Sequence, residues 1–343
     1  MRAMILTEVA NLNDNREPLQ LTDVACPEPG RGEVLIAVTV CGVCHTELDE
    51  IEGRTPPPRL PVIPGHEVVG RVHSIGEDCQ RYAIGQRVGV GWVHSSSGCH
   101  DENLSDKFLA TGRDVNGGYA EFMTVPEDYA YPIPDVFSDE EAAPLLCAGG
   151  VGYRSLRLTN LQDGEILGLT GFGGSGHLVL QLVRHICPSS RVFVFARSPA
   201  EREFAMQLGA DWSGDTDEKP PEPPHAIIDT TPAWRPVLSA LACLRPGGRL
   251  VINAIRKEAT DRHLMADISY EEHLWLEKEI KTVANVTARD IDEFLPVAAS
   301  IPLHVETESY ALVEANEALR DLRSGSVRGA KILRIADAPV ASA

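Results

Sequence analysis

The chain has 343 residues, 43% of them hydrophobic, with 31 Lys+Arg against 50 Asp+Glu and a formal net charge of -19. That length exceeds one typical hydrophobic core, so two domains are expected. So acidic a surface repels nucleic-acid phosphates and anionic membranes, which argues against both as partners.

The N-terminal stretch MRAMILTEVANLNDN has neither the long apolar segment nor the small-residue cleavage site of a secretion signal. Short β-type runs then follow at 3–6, 33–40, 67–75, 87–90 and 120–125, punctuated by Gly and Pro at 27–32, 56–61 and 117–118. The portion up to about Pro144 is therefore expected to be mostly β, with long loops. From about Val151 strands and helices alternate. A strand at 165–170 leads through a glycine turn into a helix at 177–186. A strand at 191–196 precedes a helix at 200–208 that ends at Gly209. A proline-rich loop at 220–224 precedes a strand at 226–229. A helix at 234–244 is stopped by Pro246, Gly247 and Gly248, and a strand follows at 249–254. This rhythm predicts an α/β fold of Rossmann type, a doubly wound parallel sheet covered on both faces. The remainder, with a helix at 312–322 and a strand at 331–335, is too small for its own core and is expected to return to the first domain. Residues 336–343 read as a frayed tail. The expected division is 1–150 with 289–343, and 151–288. The apolar stretch 166–183 is broken by five glycines and Ser175, so it does not read as a membrane span. Eight cysteines without a secretion signal favour reduced thiols and a cytoplasmic location.

Three positions carry the chemistry: Cys44 in CGVCHTE, His66 in PGHEVVG and Cys147 in PLLCAGG. Two thiolates and an imidazole, brought together, suit zinc, and three protein ligands leave its fourth position open, as catalytic sites require. Taken singly, Cys147 also reads as a small buried hydrophobe and His66 as a core histidine. Cys26, Cys79, Cys187 and Cys243 have no motif around them. The stretch GFGGSG at 171–176 fits G-x-G-x-x-G between an apolar strand and an apolar helix. Gly171 permits the turn, Gly173 lets the backbone reach the pyrophosphate, Gly176 lets helix and sheet pack closely, and Gly174 and Ser175 are counted with them as cofactor-binding residues. The next strand ends VFVFARS, with Ala196 where NAD sites place an acid. Arg197 and Ser198 suit a 2′-phosphate, so NADP(H) is favoured over NAD(H), with Glu201 nearby weighing against. Thr230, Asn253 and Val286, at later strand ends, are expected by fold analogy to line the cofactor cleft.

CGVCHTE, PGHEVVG, GGYAEF, LLCAG and GFGGSGH, in this order and spacing, resemble the zinc-dependent alcohol dehydrogenases of the medium-chain dehydrogenase/reductase superfamily over essentially the whole chain. The resemblance implies a GroES-like catalytic domain beside the Rossmann domain, with Cys44, His66 and Cys147 as ligands of a catalytic zinc. It implies Glu67 as a carboxylate behind the metal, with a purely orienting role as the alternative. Thr46 is implied as the hydroxyl that bonds the substrate alcohol and passes its proton outward; its alternative is a capping residue. His45 is implied near the cofactor pyrophosphate. Trp92 is implied as a wall of the substrate pocket, or else as a core residue. Three departures stand out. Glu47 occupies the place of the family's usual Asp. Asp49 stands where several members have a histidine ending the proton relay, and a carboxylate of ordinary pKa, about 3.9, is a poorer base at neutral pH. The family's second, structural zinc lobe uses four cysteines, whereas SSSGCHDENLSDKF keeps only Cys99, with Ser97 and Ser105 replacing two thiols. One zinc per chain is therefore expected. The implied function is NADP(H)- or NAD(H)-dependent interconversion of small alcohols with aldehydes or ketones, by a homo-oligomer (dimer or tetramer). The competing readings are a zinc-independent quinone or enoyl reductase of the same superfamily, and a non-catalytic nucleotide-binding redox sensor.

Overall fold

The run EVLIAVTVCGV is β-branched and apolar, and it forms a long strand, Glu33–Val43, buried at nearly every position. It is the spine of a seven-stranded sheet in the computed structural model, which describes residues 1–324 and 329–336. Of the expected tail, 337–343 lie outside the described residues. The sheet runs Thr307–Ala311, Ala330–Arg334, Glu33–Val43, Val68–Ile75, Arg87–Val90, Ala130–Pro132. Phe122–Pro126 shares one edge of the spine with Ala330–Arg334, the former pairing with Glu33–Ala37 and the latter with Val40–Val43. The spine extends three residues past the expected position 40 because it has a partner on each side there: Cys41 pairs with both Val68 and Leu333. Arg2–Leu6 pairs antiparallel with Leu19–Asp23 in a separate two-stranded sheet.

The alternating portion forms a six-stranded, all-parallel sheet in the order Trp212–Gly214, Arg191–Phe195, Ile166–Thr170, Ala226–Asp229, Arg249–Ile252, Glu279–Thr282. Ile166–Thr170 and Ala226–Asp229 are buried at every position, as parallel strands covered on both faces must be. The order reverses direction between these two strands, and that switch point is where open α/β sheets bind ligands. The helices Gly174–Ile186, Pro199–Gln207 and Arg235–Cys243 follow the first, second and fourth strands in chain order. Val237, Ala240 and Leu241 of the last pack on Ile227 and Leu250.

By internal contacts the chain divides into two compact units. The first comprises Met1–Cys147, Val286–Ala299 and Val305–Ala343, and the second Ala148–Asn285 and Ser300–His304. Among the described residues, no helix is long and apolar enough to cross a membrane.

Candidate functional site

The end of the spine strand places the first candidate ligand. Cys44 follows directly, in extended conformation (φ -113°, ψ 162°), and caps the helix His45–Ile51. His66 and Glu67 lie just before Val68–Ile75, the strand paired with the spine. Cys147 ends the 3₁₀ turn Ala143–Leu146. One ligand atom from each of Cys44, His66, Glu67 and Cys147 lies within 4.8 Å of the others. Cys44 Sγ is 3.9 Å from Cys147 Sγ, and His66 Nε2 is 3.2 Å from Cys147 Sγ. Gly42 makes room for this arrangement. A Cβ there would stand 1.9 Å from Glu67 Oε2 and 2.8 Å from Glu67 Cβ, so no side chain fits while Glu67 points into the cluster.

Glu47 ties two of these residues together. Its Oε1 lies 2.5 Å from His66 Nδ1, and its Oε2 accepts from the Cys44 backbone N–H at 2.8 Å. Bonding at Nδ1 leaves Nε2 to face the sulfurs, the division of labour that orients a metal-ligating histidine. His66 and Glu47 are both fully buried. The extra methylene of Glu47 relative to Asp therefore does not prevent a carboxylate from reaching the imidazole.

The electrostatics follow from crowding these groups in a dry interior. A hydrogen bond from Cys147 holds the Cys44 thiol well below its ordinary pKa, and the same bond, with burial, pushes Cys147 well above. Burial alone would push the His66 imidazolium down, but the charge of Glu47 and the bonds to Cys44 and Glu47 outweigh it, and the net shift is upward. Burial, then the charge of Cys44, raises Glu67. Two thiols, an imidazole and two carboxylates crowded into one buried space form an arrangement that a divalent cation neutralises. The donor set, two thiols and an imidazole with a carboxylate in reserve, fits zinc.

Thr46 is buried, with Oγ1 3.6 Å from Cys44 Sγ. Asp49 accepts from Arg54 Nε at 2.5 Å, so its charge already has a partner. His45 is exposed at the start of the helix. Trp92 is buried with its ring edge-on to His66, centroids 4.8 Å apart, and Arg113 stands 5.8 Å over its face. Its indole N–H has no partner.

In the residual lobe, Cys99 is exposed and His100 and Asp101 are solvated. Sequence reasoning missed what holds this segment. Glu102, 2% exposed, accepts from Tyr129 OH at 2.8 Å and from the Ala288 backbone N–H at 2.6 Å. Ser96 Oγ donates to the Glu102 carbonyl at 2.7 Å, and the Ser96 N–H donates to Tyr129 OH at 3.0 Å. Burial, together with the Glu102 carboxylate, pushes Tyr129 up to about 12.

In the second unit the glycine loop joins Ile166–Thr170 to Gly174–Ile186. Gly171 has φ 78°, and a Cβ there would sit 2.7 Å from Thr230 Oγ1; at Gly176 it would sit 2.9 Å from the Gly171 carbonyl. Around Gly173 a Cβ would meet nothing within 4 Å, so the backbone is open to a ligand. The helix starts at Gly174 with no side chain capping it, leaving its first N–H groups and positive end available, with Ser175 half-buried in the first turn. Asn253 is half-buried, and its Nδ2 is a buried atom without a partner. These features fit a dinucleotide phosphate and its neighbouring polar groups. Ala196 is buried and Arg197 exposed, while the Ser198 hydroxyl caps Pro199–Gln207 by accepting from the Glu201 N–H at 3.5 Å. Arg202, not anticipated, donates to the carbonyls of Ala196 and Arg197 at 2.7 and 3.0 Å and so shapes that turn. Thr230 is half-buried, and Val286 is buried at the start of the first unit's return segment.

Comparison with known proteins gives a consistent picture. The "Alcohol dehydrogenase GroES-like domain" profile matches residues 30–135. A probable alcohol dehydrogenase, AdhA, of Mycobacterium tuberculosis is 41% identical over 329 residues, covering 93% of each chain. A cinnamyl alcohol dehydrogenase from Sorghum bicolor superposes with a TM-score of 0.85 at 24% identity, covering 100% of this chain and 99% of that one. CAD from Helicobacter pylori, solved with NADP(H), superposes with a TM-score of 0.84 at 21% identity, covering 98% of each chain.

Proposed function

Because the chain belongs to the zinc-type alcohol dehydrogenases of the medium-chain dehydrogenase/reductase superfamily, we propose that it interconverts small alcohols with aldehydes or ketones using one catalytic zinc and, preferentially, NADP(H). The observation that carries the reading is the convergence of Cys44, His66 and Cys147, with Glu67 beside them. Zinc held there supplies a Lewis acid that polarises the substrate oxygen and acidifies its hydroxyl, and the nicotinamide supplies the hydride acceptor or donor.

The chain's own residues do the rest. Glu47 fixes the His66 ring so that Nε2 faces the metal position. Thr46 Oγ1, beside Cys44 Sγ, accepts the substrate proton and passes it outward. Asp49 is occupied by Arg54, so the proton's onward path runs to water rather than to that carboxylate. Trp92 walls the substrate side of His66. The uncapped start of Gly174–Ile186 takes the pyrophosphate, with Gly171, Gly173, Gly174, Ser175 and Gly176 giving close backbone approach. Thr230 and Asn253, in the same unit as the glycine loop, complete its cofactor surface. Arg197 and Ser198, with no acid at Ala196, favour a 2′-phosphate. The convergent ligand trio weighs against a zinc-independent reductase.

A homo-oligomer is part of the proposal. The outer strand Glu279–Thr282 is exposed along its length, and its own Ile280 together with the preceding Tyr270, Trp275 and Leu276 are about half exposed, an apolar edge suited to a second copy. A cytoplasmic location suits thiolate ligands that must stay reduced.

Initial rates with NADPH and NADH across an aldehyde panel, before and after chelation, test the reading. Zinc-dependent reduction with the lower KM for NADPH is expected, and Arg197→Ala should raise that KM more than the one for NADH. Turnover that survives complete zinc removal, or cofactor binding with no turnover, would sink it.

A further inference from the structure

Asp229, at the end of the strand Ala226–Asp229, is fully buried, and its carboxylate is saturated. Oδ1 accepts from Thr170 Oγ1 at 2.6 Å, from the Thr231 N–H at 3.1 Å and from Thr231 Oγ1 at 2.8 Å. Oδ2 takes the ammonium of Lys257, itself only 8% exposed. Lys257 also donates to the carbonyls of Thr231 and Ala233, at 2.7 and 3.0 Å. All three ammonium hydrogens are thereby directed at one short turn, 229–233. Lys257 lies 28 residues beyond Asp229, on the connection after the strand Arg249–Ile252.

The turn so gripped is not an arbitrary one. Thr230 donates to the Thr170 carbonyl from both its N–H and its hydroxyl, at 3.0 Å each. Its Oγ1 occupies the space that a Cβ on Gly171 would need, and Thr231 Cγ2 stands 3.0 Å from that same point. The pinned turn and the first glycine of the dinucleotide loop are thus in mutual contact at the switch point of the sheet. Burying an ammonium and a carboxylate carries a large desolvation cost, which is offset only when both are fully bonded in fixed geometry. A hydrophobic pair of similar volume would often hold a fold as well or better. What the ion pair adds is a fixed direction: an ammonium with three carbonyl or carboxylate acceptors permits one backbone path through 229–233.

We propose that Lys257 is a positioning residue for the dinucleotide, holding the 229–233 turn against Gly171 so that Thr230 and the glycine loop present one rigid surface to the cofactor. The proposal rests on the reading above that this surface receives a nicotinamide dinucleotide. It adds a residue whose acceptors all lie in the turn and that acts through it.

The test is NADPH and NADH binding by fluorescence titration, alongside thermal midpoint and zinc content, in wild type, Lys257→Met and the double variant Asp229→Asn/Lys257→Met. The double variant removes both charges, so no unpaired carboxylate is left buried, and it keeps the fold measurable should the single variant fail to accumulate. Dissociation constants raised on the order of tenfold in every variant that folds, with the thermal midpoint of the double variant near that of wild type and zinc content unchanged, are expected. Wild-type affinity in the double variant would overturn the inference and reduce the pair to a stabilising contact. If wild type itself binds neither dinucleotide, the functional reading fails instead.

Discussion

Replacing Glu47 by Gln isolates the device that orients the metal site. One carboxylate oxygen meets His66 Nδ1 at 2.5 Å and the other accepts from the Cys44 N–H at 2.8 Å. An amide of the same shape has one oxygen, so it can serve one of the two donors while turning an NH₂ toward the other. The loss is one charge-assisted hydrogen bond, about 1.5–3 kcal/mol, together with the charge that makes the imidazole a stronger ligand. Zinc affinity should fall about 10- to 100-fold, the usual consequence of removing such a partner. A second effect opposes the first in acid. The Glu47 carboxylate holds the His66 pKa up, so removing it lowers the pKa and relieves proton competition for Nε2. The deficit should therefore be largest in alkaline solution, where His66 is neutral in both proteins, and should shrink as pH falls. Competition with a chromophoric chelator across pH measures this directly. Glu47→Asp, which keeps the charge, should lose less. Equal zinc affinity of wild type and Glu47→Gln in alkaline solution would refute the reasoning.

Other outcomes follow from the same geometry. Gly42→Ala would place a methyl 1.9 Å from Glu67 Oε2 and 2.8 Å from Glu67 Cβ, so Glu67 must leave its place; a loss of about 1–3 kcal/mol in stability, read by denaturant titration, should accompany lower activity. Zinc binding should release protons, because burial and neighbouring charges shift Cys147 and His66 upward while both must be deprotonated to ligate; calorimetry in buffers of different ionisation enthalpy detects the release, and its absence would refute the reading. Glu102→Ala leaves the Ala288 N–H and Tyr129 OH without their acceptor, so unfolding free energy should drop by about 2–4 kcal/mol while zinc content stays unchanged, as paired denaturation and metal assays would show.

The convergence of Cys44, His66 and Cys147 was legible because a β-rich run ends at Cys44 and the histidine directly precedes the strand paired with it, so short motifs stand for long-range proximity. The glycine loop was legible for the same local reason. Contacts made across the sequence left no such trace. The Glu102 bond to Ala288 spans 186 positions and uses a backbone group that no motif encodes. Lys257 resembles any loop lysine until its three acceptors are seen. Among the strands, Leu19–Asp23 buries only its first residue and Glu279–Thr282 none, so neither shows the alternation that marks a half-buried strand. Ala288–Ala299 carries Pro296 in its interior, which disguises its helical period. The helix expected at 312–322 begins as a 3₁₀ turn, Leu312–Glu314, before Ala315–Ser324 takes up the α form.

Glu102 fastens its segment with atoms the ribosome supplies. A clasp made from an exchangeable ion comes and goes with the supply of that ion, and sulfur ligands are open to peroxide. A carboxylate gripped by a tyrosine and a peptide group suffers neither fate, and it is ready as soon as the chain has folded. On the proposed stoichiometry of one ion, scarcity of zinc would silence catalysis while leaving this clasp made.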